Sequence, residues 1–525
     1  MKRLFFTVAA LVFLVGCYTP DNQEIIARPP VTVVPSPTPE PVTPAKGGTL
    51  RVPMRPPLTL NPLLNEDASV DAILQLLFEP LMIIDANMKP MPNLATFNFA
   101  SDGMSVTITL REGLRWSNGL PITTEDIAFS IDILRQAPEN AIYRNNVLNI
   151  MPEYTIYSEH RIKLQFYRAF SGMAYEFTFP IIPKQYYYGQ LDPSSPVNMR
   201  PVGNGLFVFH SYTNMREMRL NFNPDTYRQP PYIANIDVVI VPDQQTELHA
   251  FDQRLIDVVS AEIAEWGRHR NNQNTNIYEY PTMYFDFIGF NFNNELLAQL
   301  DFRRAIAHSI NVDEIVENIY LEHASRAFTP VNPNSWLFEP DVEKYNFSLD
   351  LAAELFESAN YDGRNLRILV NKENDERVAI ANILNENLAR IGVETTVVSV
   401  DINRYRQLIE QERDFDMFIG GFNLSIAPDL TFAFGSADGA SNIFSYSDET
   451  MNALLAAAFS AVGDASYQRA LSELQRYIAQ ELPCVSLVFR KSAMLSDTRV
   501  LGDKHPVMSN IFANANRWFI PRELQ

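Results

Sequence analysis

A strand, a helix and a second strand follow one another in the later part of the chain, and this succession constrains the fold most strongly. The stretch "LRILV" at 366–370 is apolar and short, as a buried strand is. Residues 376–391 then have helical periodicity, and Gly392 ends that helix before "VETTVVSV" resumes a strand. The apolar stripe of the helix consists of Ala381, Leu384, Leu388 and Ile391. This order predicts parallel strands joined by a right-handed crossover, and therefore an α/β fold.

Three further segments predict local structure. The stretch "MSVTITL" at 104–110 alternates as a half-buried strand does. "SNGLPITTEDIAFSIDIL" predicts a turn and then a helix that Thr123 or Thr124 caps. The helix "RRAIAHSI" stops at Asn311, which together with Glu314 predicts the N-cap of "VDEIVENIY".

Length and charge limit the classes of protein that this chain can belong to. A chain of 525 residues with 46% hydrophobic and 20% charged residues is globular and long enough for two to four domains. Its formal net charge is -20. Such an acidic surface repels phosphate backbones, so nucleic acid is not an expected partner.

The start of the chain has the layout of an export signal. Lys2 and Arg3 precede an apolar run over 4–15 that is too short to span a bilayer. The run ends in "LVGC", which resembles the lipobox of bacterial lipoproteins, where the chain is cut before the cysteine and that cysteine carries lipid. Residues 1–16 are therefore predicted to be a lipoprotein signal peptide and Cys17 the lipidated mature N-terminus. The alternative is a plain secretory peptide with an incidental cysteine.

A proline-rich stretch separates this start from the folded body. Residues 17–46 include "RPPVTVVPSPTPEPVTP", which predicts an extended linker. If Cys17 is acylated, Cys484 has no partner for an intramolecular disulfide. Its apolar context, "LPCVSLVF", favours a buried structural thiol over a nucleophile.

Signatures of catalysis are scarce. The chain has no Walker loop, CxxC, HExxH or GxSxG motif, and "VGNGLF" lacks the third glycine of a nucleotide-binding loop. His308 lies in an amphipathic helix, where a structural role is favoured, and the acidic pair Glu125 and Asp126 sits at a helix start, where it suits capping. We therefore predict no enzymatic activity, no cofactor and no metal site.

Motifs along most of the chain resemble the family 5 extracellular solute-binding proteins of ABC transporters, which include oligopeptide, dipeptide and nickel receptors. The motifs occur in the order of that family: "GGTLRVPMRPPLTLNPL", "LFEPLMIIDANMKPMPNLAT", "VTITLREGLRWSNGLPITTEDIAFSI", "PVGNGLFVF", "LNFNPDTY", "IDVVIVPD", "GFNFNNELLAQLDFRRAIAHSINVDEIV", "DFDMFIGGFNLSIAPDL" and "QRALSELQRYIAQELPCVSLVF". The resemblance runs from about residue 47 to the C-terminus.

The resemblance implies an α/β, two-lobe fold of the periplasmic-binding-protein type, in its type II, three-domain family 5 variety. One lobe would combine 47–275 with 488–525, and the other would be 276–487. Two chain crossings, near 276–290 and 483–490, would form the hinge. A solute gripped by both lobes would stabilise the closed state through its higher affinity for that state.

The resemblance also implies the partners of the chain. It would be a monomer that captures a small peptide or other small solute and delivers it to the membrane subunits of an ABC permease. The lipid on Cys17 would hold it at the outer face of the cytoplasmic membrane. Two alternatives are a surface receptor that senses a solute with the same clamshell but without import, and a surface hydrolase.

Two segments are implied to hold the ligand through backbone pairing, as an added strand would. Glu66 and Ala68 in "NPLLNEDAS" match one contact segment, and Gly421, Phe422 and Asn423 in "IGGFNLS" match the other. Gly421 has the alternative of a packing glycine. Phe422 stands where the family usually has Trp, and its alternative is core burial.

Two further positions concern the cleft and its charge. Trp116 in "RWSNG" is a candidate cleft residue, with a lobe-core role as the alternative. Peptide receptors of the family commonly carry an Asp that pairs with the ligand's ammonium, but this chain has Ser425 there, and a serine cannot neutralise an ammonium. Asp429, or Glu66 and Asp67 from the opposite side, are possible substitutes. Otherwise the cargo is neutral or differently oriented, and the lack of a histidine cluster disfavours nickel.

Overall fold

The computed structural model has two long antiparallel strands at its centre. Sheets and helices pack around them. The structure describes residues 43–435 and 442–525. Within it, Pro44–Gln525 forms one compact unit. The predicted signal peptide, Cys17 and the linker as far as residue 42 lie outside the described residues.

The secondary structure mixes strands and helices along the whole of the unit. The strands are β1 (Thr49–Met54), β2 (Met82–Ile84), β3 (Pro90–Pro92), β4 (Ala95–Phe99), β5 (Ser105–Leu110), β6 (Glu153–Ser158), β7 (Arg161–Gln165), β8 (Phe207–Thr213), β9 (Glu217–Phe222), β10 (Asn235–Ile240), β11 (Val258–Ala261), β12 (Thr275–Phe290), β13 (Ala324–Arg326), β14 (Leu366–Asn371), β15 (Thr395–Val400), β16 (Met417–Asn423), β17 (Cys484–Asp497), β18 (Leu501–Gly502) and β19 (Trp518–Phe519). The α-helices are α1 (Ala68–Leu77), α2 (Thr124–Gln136), α3 (Arg144–Ile150), α4 (Lys184–Tyr187), α5 (Gln244–Asp252), α6 (Ile263–Trp266), α7 (Glu295–Ala298), α8 (Leu300–His308), α9 (Val312–Glu314), α10 (Leu349–Ser358), α11 (Asp375–Arg390), α12 (Ile402–Gln407), α13 (Thr431–Phe434), α14 (Glu449–Ser460) and α15 (Asp464–Glu481).

Three larger sheets form the framework. One has the order β1-β10-β9-β8, and β1 pairs with β10 in parallel. A second, β4-β5-β7-β6, is antiparallel throughout. The third has the order β11-β17-β12-β16-β14-β15, with β13 added beside β17. Its strands β14, β15 and β16 are parallel, whereas β11, β12, β16 and β17 pair antiparallel.

The predicted strand-helix-strand unit is confirmed as β14, α11 and β15. Ala381, Leu384 and Leu388 of its apolar stripe are buried, and the helix ends at Arg390, before Gly392 with φ +77°. The parallel pairing of β14 with β15 and β16 covers only one end of the sheet. The sheet as a whole is mixed because its central strands β12 and β17 run in opposite directions and pair with each other over most of their length.

The other local predictions are also confirmed. Strand β5 covers most of the alternating stretch at 104–110, and Thr123 is the N-cap of α2. Asn311 Oδ1 accepts a hydrogen bond from the backbone N–H of Glu314 at 3.3 Å, as a cap of α9 should. Cys484 is buried in β17, and burial raises the pKa of its thiol, which suits a structural residue rather than a nucleophile.

The hydrophobic core is divided between the two halves of the unit. One cluster joins side chains between Leu50 and Val258 with C-terminal residues such as Phe512 and Trp518. A second cluster takes its members from Ile288 to Val488 only. A third lies in the same middle part of the chain, and Met88 and Tyr175 reach into it from the N-terminal part.

Candidate ligand-binding site

A cavity of about 280 Å³ lies beside α1. Its walls come from stretches that are far apart in sequence: α1 and the residues that follow it, Ile142 and Tyr143, Arg228, the 507–513 segment after β17, and Ile426 after β16. Most of the lining side chains are apolar, with a few charged and amide groups among them. An apolar cavity with few polar groups is the usual form of a small-molecule site.

Helix α1 is held at both ends, and this positions the cavity side chains it carries. Asp67 is the N-cap, and its Oδ1 accepts hydrogen bonds from the backbone N–H groups of Ser69 at 2.8 Å and Val70 at 3.2 Å. At the other end the backbone N–H groups of Asn204 and Gly205 donate to the Leu77 carbonyl at 2.9 and 2.8 Å. These bonds satisfy groups that the helix itself leaves without partners.

Asp71 is a buried carboxylate in the lining of the cavity, with 7% of its surface exposed. Its Oδ2 accepts hydrogen bonds from Gln75 Nε2 at 2.8 Å and from the Tyr143 hydroxyl at 3.0 Å. Burial raises the pKa of Asp71 to about 6, although these two hydrogen bonds act to lower it. Burial and the charge of Asp71 raise the pKa of Tyr143 well above its ordinary value, so that hydroxyl remains a donor.

Glu79 and Arg228 form an ion pair in the same lining. Arg228 Nη1 lies 3.1 Å from Glu79 Oε1, and Nη2 donates to the Ala513 carbonyl at 3.3 Å. Glu79 Oε2 accepts a hydrogen bond from Asn93 at 2.9 Å. Burial acts to lower the pKa of Arg228, but the neighbouring carboxylate outweighs it and the pKa is raised. The negative charge of Glu79 and the positive charge of Arg228 therefore cancel each other within the lining.

The predicted site residues of the N-terminal half lie around α1 and in the core. Glu66 and Ala68 are exposed, just before and at the first residue of α1. Trp116 is 1% exposed within the N-terminal hydrophobic cluster, and its Nε1 donates to Asp126 at 3.2 Å. None of these three residues lines the cavity.

The predicted site residues after β12 lie at the end of β16. Gly421 pairs with Asp286, and a Cβ atom there would lie 2.0 Å from Arg377 Nη2 and 2.5 Å from Asp286 Oδ1. Phe422 is half-buried among other aromatic rings, with Phe287 at 4.8 Å. The other two residues, Asn423 and Ser425, are exposed. None of these four lines the cavity, but Ile426, which follows directly, does.

Contacts join the N-terminal and middle parts of the chain outside the cavity. Lys89 Nζ lies 2.6 Å from Asp464 and 4.5 Å from the centre of the Trp336 ring. Trp336 Nε1 donates to the Tyr175 hydroxyl at 2.9 Å, and the Ser171 N–H donates to the Phe459 carbonyl. The two parts therefore touch through specific polar contacts.

A sequence model of the bacterial extracellular solute-binding proteins, family 5 middle region, matches residues 89–442, which is more than half of the chain. The chain belongs to this family. This family 5 protein is 21% identical over 512 residues to the oligopeptide-binding protein AppA of Bacillus subtilis, covering 91% of this chain and 93% of the relative.

Solved structures show the same fold as this family 5 protein. The ABC transporter substrate-binding protein CtaP of Listeria monocytogenes matches with a TM-score of 0.77 and 20% identity, over 91% of this chain and 100% of that one. NikZ of Campylobacter jejuni, solved in complex with Ni(L-His), matches with a TM-score of 0.65 and 20% identity, over 90% and 99%. The predicted α/β, periplasmic-binding-protein-like fold is confirmed.

Two features of the described residues concern membranes and metals. Over 43–435 and 442–525, none of the helices has both the length and the hydropathy that crossing a bilayer requires. Within the same ranges, no group of three or more His, Cys, Asp or Glu side chains is arranged to hold a metal ion.

The sequence interpretation missed the polar side chains of the cavity. Asp71 and Gln75 are four residues apart in "ASVDAILQLL", and this spacing puts them on one face of an otherwise apolar helix. These two polar residues on an apolar helix were the feature of the sequence that could have indicated a polar site. The signal was weak, because an isolated Asp and Gln on a helix usually face solvent.

Proposed function

We propose that this protein is the extracytoplasmic solute-binding component of an ABC importer and that it captures a peptide or similar small solute between two lobes. The cavity beside α1 carries this proposal, because its lining combines the N-terminal part, the 507–513 segment and Ile426 of the middle part. A solute held there touches both parts of the chain and therefore favours their closed arrangement. A permease that recognises the closed form receives a loaded protein.

The proposed lobes are 47–275 with 488–525, and 276–487. The distribution of the hydrophobic clusters supports this division. Among the described residues, one cluster takes no member between Tyr280, which lies in the proposed hinge strand β12, and Met494. Strands β12 and β17 are the proposed hinge, because each runs from one lobe into the other. Their pairing is irregular between Pro281 and Phe285. An irregularity of this kind bends a strand locally, which suits a hinge.

The proposed cargo is a peptide that is released chemically unchanged. The name of AppA of Bacillus subtilis, an oligopeptide-binding protein, supports this class. The exposed end of β16 is a suitable edge for backbone pairing with an extended ligand. Glu66, Ala68, Gly421, Phe422, Asn423 and Ser425 remain proposed outer contacts of such a ligand. Trp116 is 1% exposed in the hydrophobic core, so we propose the lobe-core role for it instead of a place in the cleft.

The identity and fate of the cargo can be tested on the purified protein. Mass spectrometry of molecules released by denaturation is expected to find peptides, and peptides of two to eight residues are expected to raise the melting temperature. Intact recovery of an added peptide is expected because no bond is broken. If no peptide shifts the melting temperature while another solute class does, the peptide proposal is wrong, and recovery of cleaved fragments would favour the hydrolase.

Import is distinguished from sensing in cells. Cells that carry the gene are expected to accumulate a labelled peptide that binds the protein, and cells that lack the gene are not. Equal accumulation with and without the gene would contradict import and favour the sensory alternative.

The anchor is proposed to be lipid on Cys17. The Cys17→Ser change is expected to move the protein from the membrane fraction to the soluble fraction, because acyl chains supply the membrane affinity, about 0.8 kcal/mol for each buried methylene. The measurement is cell fractionation with immunoblotting, together with the mass of the N-terminal peptide. The Cys484→Ser variant is the matched control and is expected to stay in the membrane fraction.

A further inference from the structure

We propose that Asp71 makes this cavity selective for solutes with a protonated amino group, and that Gln75 assists by accepting a second hydrogen bond from that group. The inference rests on the proposed function, because it names the charge class of the solute at the same site. The negative charge that pairs with the amino group of the ligand then comes from a carboxylate in the lobe formed by 47–275 and 488–525, and not from position 425.

The free acceptor atoms of Asp71 and Gln75 support this assignment. Both hydrogen bonds that Asp71 accepts from side chains go to Oδ2, so within the described residues Oδ1 accepts none. Gln75 turns its Nε2 toward Asp71, and its buried Oε1 has no hydrogen-bond partner among the residues that the structure describes. A buried acceptor without a donor is costly, and a ligand that brings donors relieves that cost. An ammonium group brings three.

The charge balance of the lining points to the same chemistry. Within the described part of the chain, the charged side chains that line the cavity are Asp71, Glu79 and Arg228. Glu79 and Arg228 are paired with each other, so the charge of Asp71 is the one left without an opposite charge. A buried carboxylate in an apolar cavity is stabilised most by a cation that enters with the ligand. An anionic solute would instead be repelled.

The other acidic candidates are less suited to this role. Asp67 is engaged as the N-cap of α1, and Glu66 is exposed. Asp429 is exposed and accepts a hydrogen bond from the Thr431 N–H at 3.0 Å. None of the three lines the cavity, and Ser425 is neutral and exposed. Asp71 therefore supplies the carboxylate that peptide receptors of the family commonly have at the position of Ser425.

The variant that tests the assignment is Asp71→Asn. An amide oxygen keeps the hydrogen bonds from Gln75 and Tyr143, so the fold is expected to be retained. Because burial raises the pKa of Asp71, its ionised form destabilises the empty protein at neutral pH, and the neutral amide removes that burden. The variant is therefore expected to melt at the same temperature as the wild type or higher.

Glu176→Gln is the matched control. Glu176 is half-buried in the same lobe, accepts a hydrogen bond from Asn149 at 2.9 Å, and has a pKa that burial raises to about 7. It does not line the cavity. Its substitution removes a comparable carboxylate without changing the proposed site.

The probes are peptides of two to eight residues, each with a free and an N-acetylated amino terminus, with and without one lysine. Simple aliphatic amines and neutral sugars complete the panel.

Binding is measured by calorimetry with the wild type and both variants. The Asp71→Asn variant is expected to bind amine-bearing probes at least about 30-fold more weakly, because a buried charge pair is lost. The Glu176→Gln variant is expected to bind them as the wild type does. Comparison of acetylated probes with and without lysine shows whether the amine is terminal or on a side chain.

The pH dependence provides a readout that a purely structural role would not change. Asp71 faces Gln75 and Tyr143, and Glu79 and Arg228 line the same cavity. Its carboxyl group, with a pKa of about 6, is mostly ionised at pH 7 and mostly protonated at pH 5. Wild-type affinity for an amine probe is therefore expected to fall about tenfold from pH 7 to pH 5. The Glu176→Gln variant is expected to keep this fall, and the Asp71→Asn variant to lose it.

The outcomes separate this inference from the proposed function. Amine-dependent binding that requires Asp71 supports the inference. If the bound amine is not a peptide, the inference still stands and only the peptide proposal is contradicted. Lysine-free peptides that bind equally well when acetylated, or peptides that bind equally well to the Asp71→Asn variant, overturn the inference but leave the peptide proposal intact. Absence of binding across the whole panel counts against both.

Discussion

Alanine in place of Asp286 is expected to lower the free energy of unfolding by about 3–5 kcal/mol, because it removes one partner of a buried ion network. The Asp286 side chain is 1% exposed and lies on β12. Its carboxylate accepts hydrogen bonds from Arg377 Nη2 at 2.7 Å, Arg490 Nε at 2.5 Å and the Tyr320 hydroxyl at 2.8 Å. These contacts join β12, β17 and α11.

The loss is large because two cations would remain without their shared counter-charge. The side chains of Arg377 and Arg490 are 19% and 22% exposed, so water compensates little. Arg490 Nη2 is buried and already lacks a hydrogen-bond partner within the described residues. Burial acts to lower the pKa of Arg490, yet the charge of Asp286 outweighs it and the pKa is raised. Without Asp286 both guanidinium groups would stay largely buried and lose this counter-charge.

Denaturant unfolding followed by fluorescence measures this effect, with the midpoint and slope compared between variants. The matched control is Asp313→Ala, because Asp313 pairs with Arg326 at 2.7 Å but its side chain is 72% exposed. That exposed pair is expected to contribute less than about 1 kcal/mol. Equal losses for the two variants would show that burial of the Asp286 network does not govern its contribution.

Alanine at Gly205 is expected to reduce both stability and solute binding. An added Cβ would lie 2.4 Å from the Leu76 carbonyl oxygen and 2.7 Å from the Leu77 carbonyl carbon. Backbone at the end of α1 would therefore have to shift, at a cost of about 1–3 kcal/mol for overpacking. The same shift disturbs the hydrogen bond from Gly205 N–H to Leu77 and moves the helix that carries Asp71.

The measurements are thermal unfolding and the affinity for a wild-type ligand at a temperature where the variant remains folded. Gly267→Ala is the control, since its backbone is helical and no described atom lies within 4 Å of a Cβ there. That change is expected to be neutral or to stabilise the protein by up to about 1 kcal/mol. Unchanged binding by a folded Gly205→Ala variant would contradict the proposed coupling between this glycine and the cavity.

Local structure could be predicted wherever neighbouring residues suffice to determine it. Thr123 and Asn311 cap their helices as predicted, and Gly392 follows the end of α11. In each case the deciding contact lies within a few residues of the chain. The mixed character of the third sheet could not be predicted in this way, because its central strands β12 and β17 are about 200 residues apart.

The candidate site shows the same division. The segments "NPLLNEDAS" and "IGGFNLS" were predicted as ligand contacts. The cavity uses Pro62 within the first segment, and Asp71 and Ile426 just beyond the two. Arg228 and Asn510 are added from parts of the chain that the sequence interpretation did not connect with a ligand. A cavity is a gap between packed elements, so its lining depends on how those elements dock.

The amino-acid sequence alone was sufficient for the family, the α/β class and the capped helices, because motifs, periodicity and caps act over short distances. Only the tertiary structure revealed that Asp71 is buried beside an amide oxygen with no partner in the described part of the chain, and that Glu79 is neutralised by Arg228. Burial and pairing depend on residues distant in sequence, and a carboxylate's charge acts on a ligand only when its surroundings leave it unmatched.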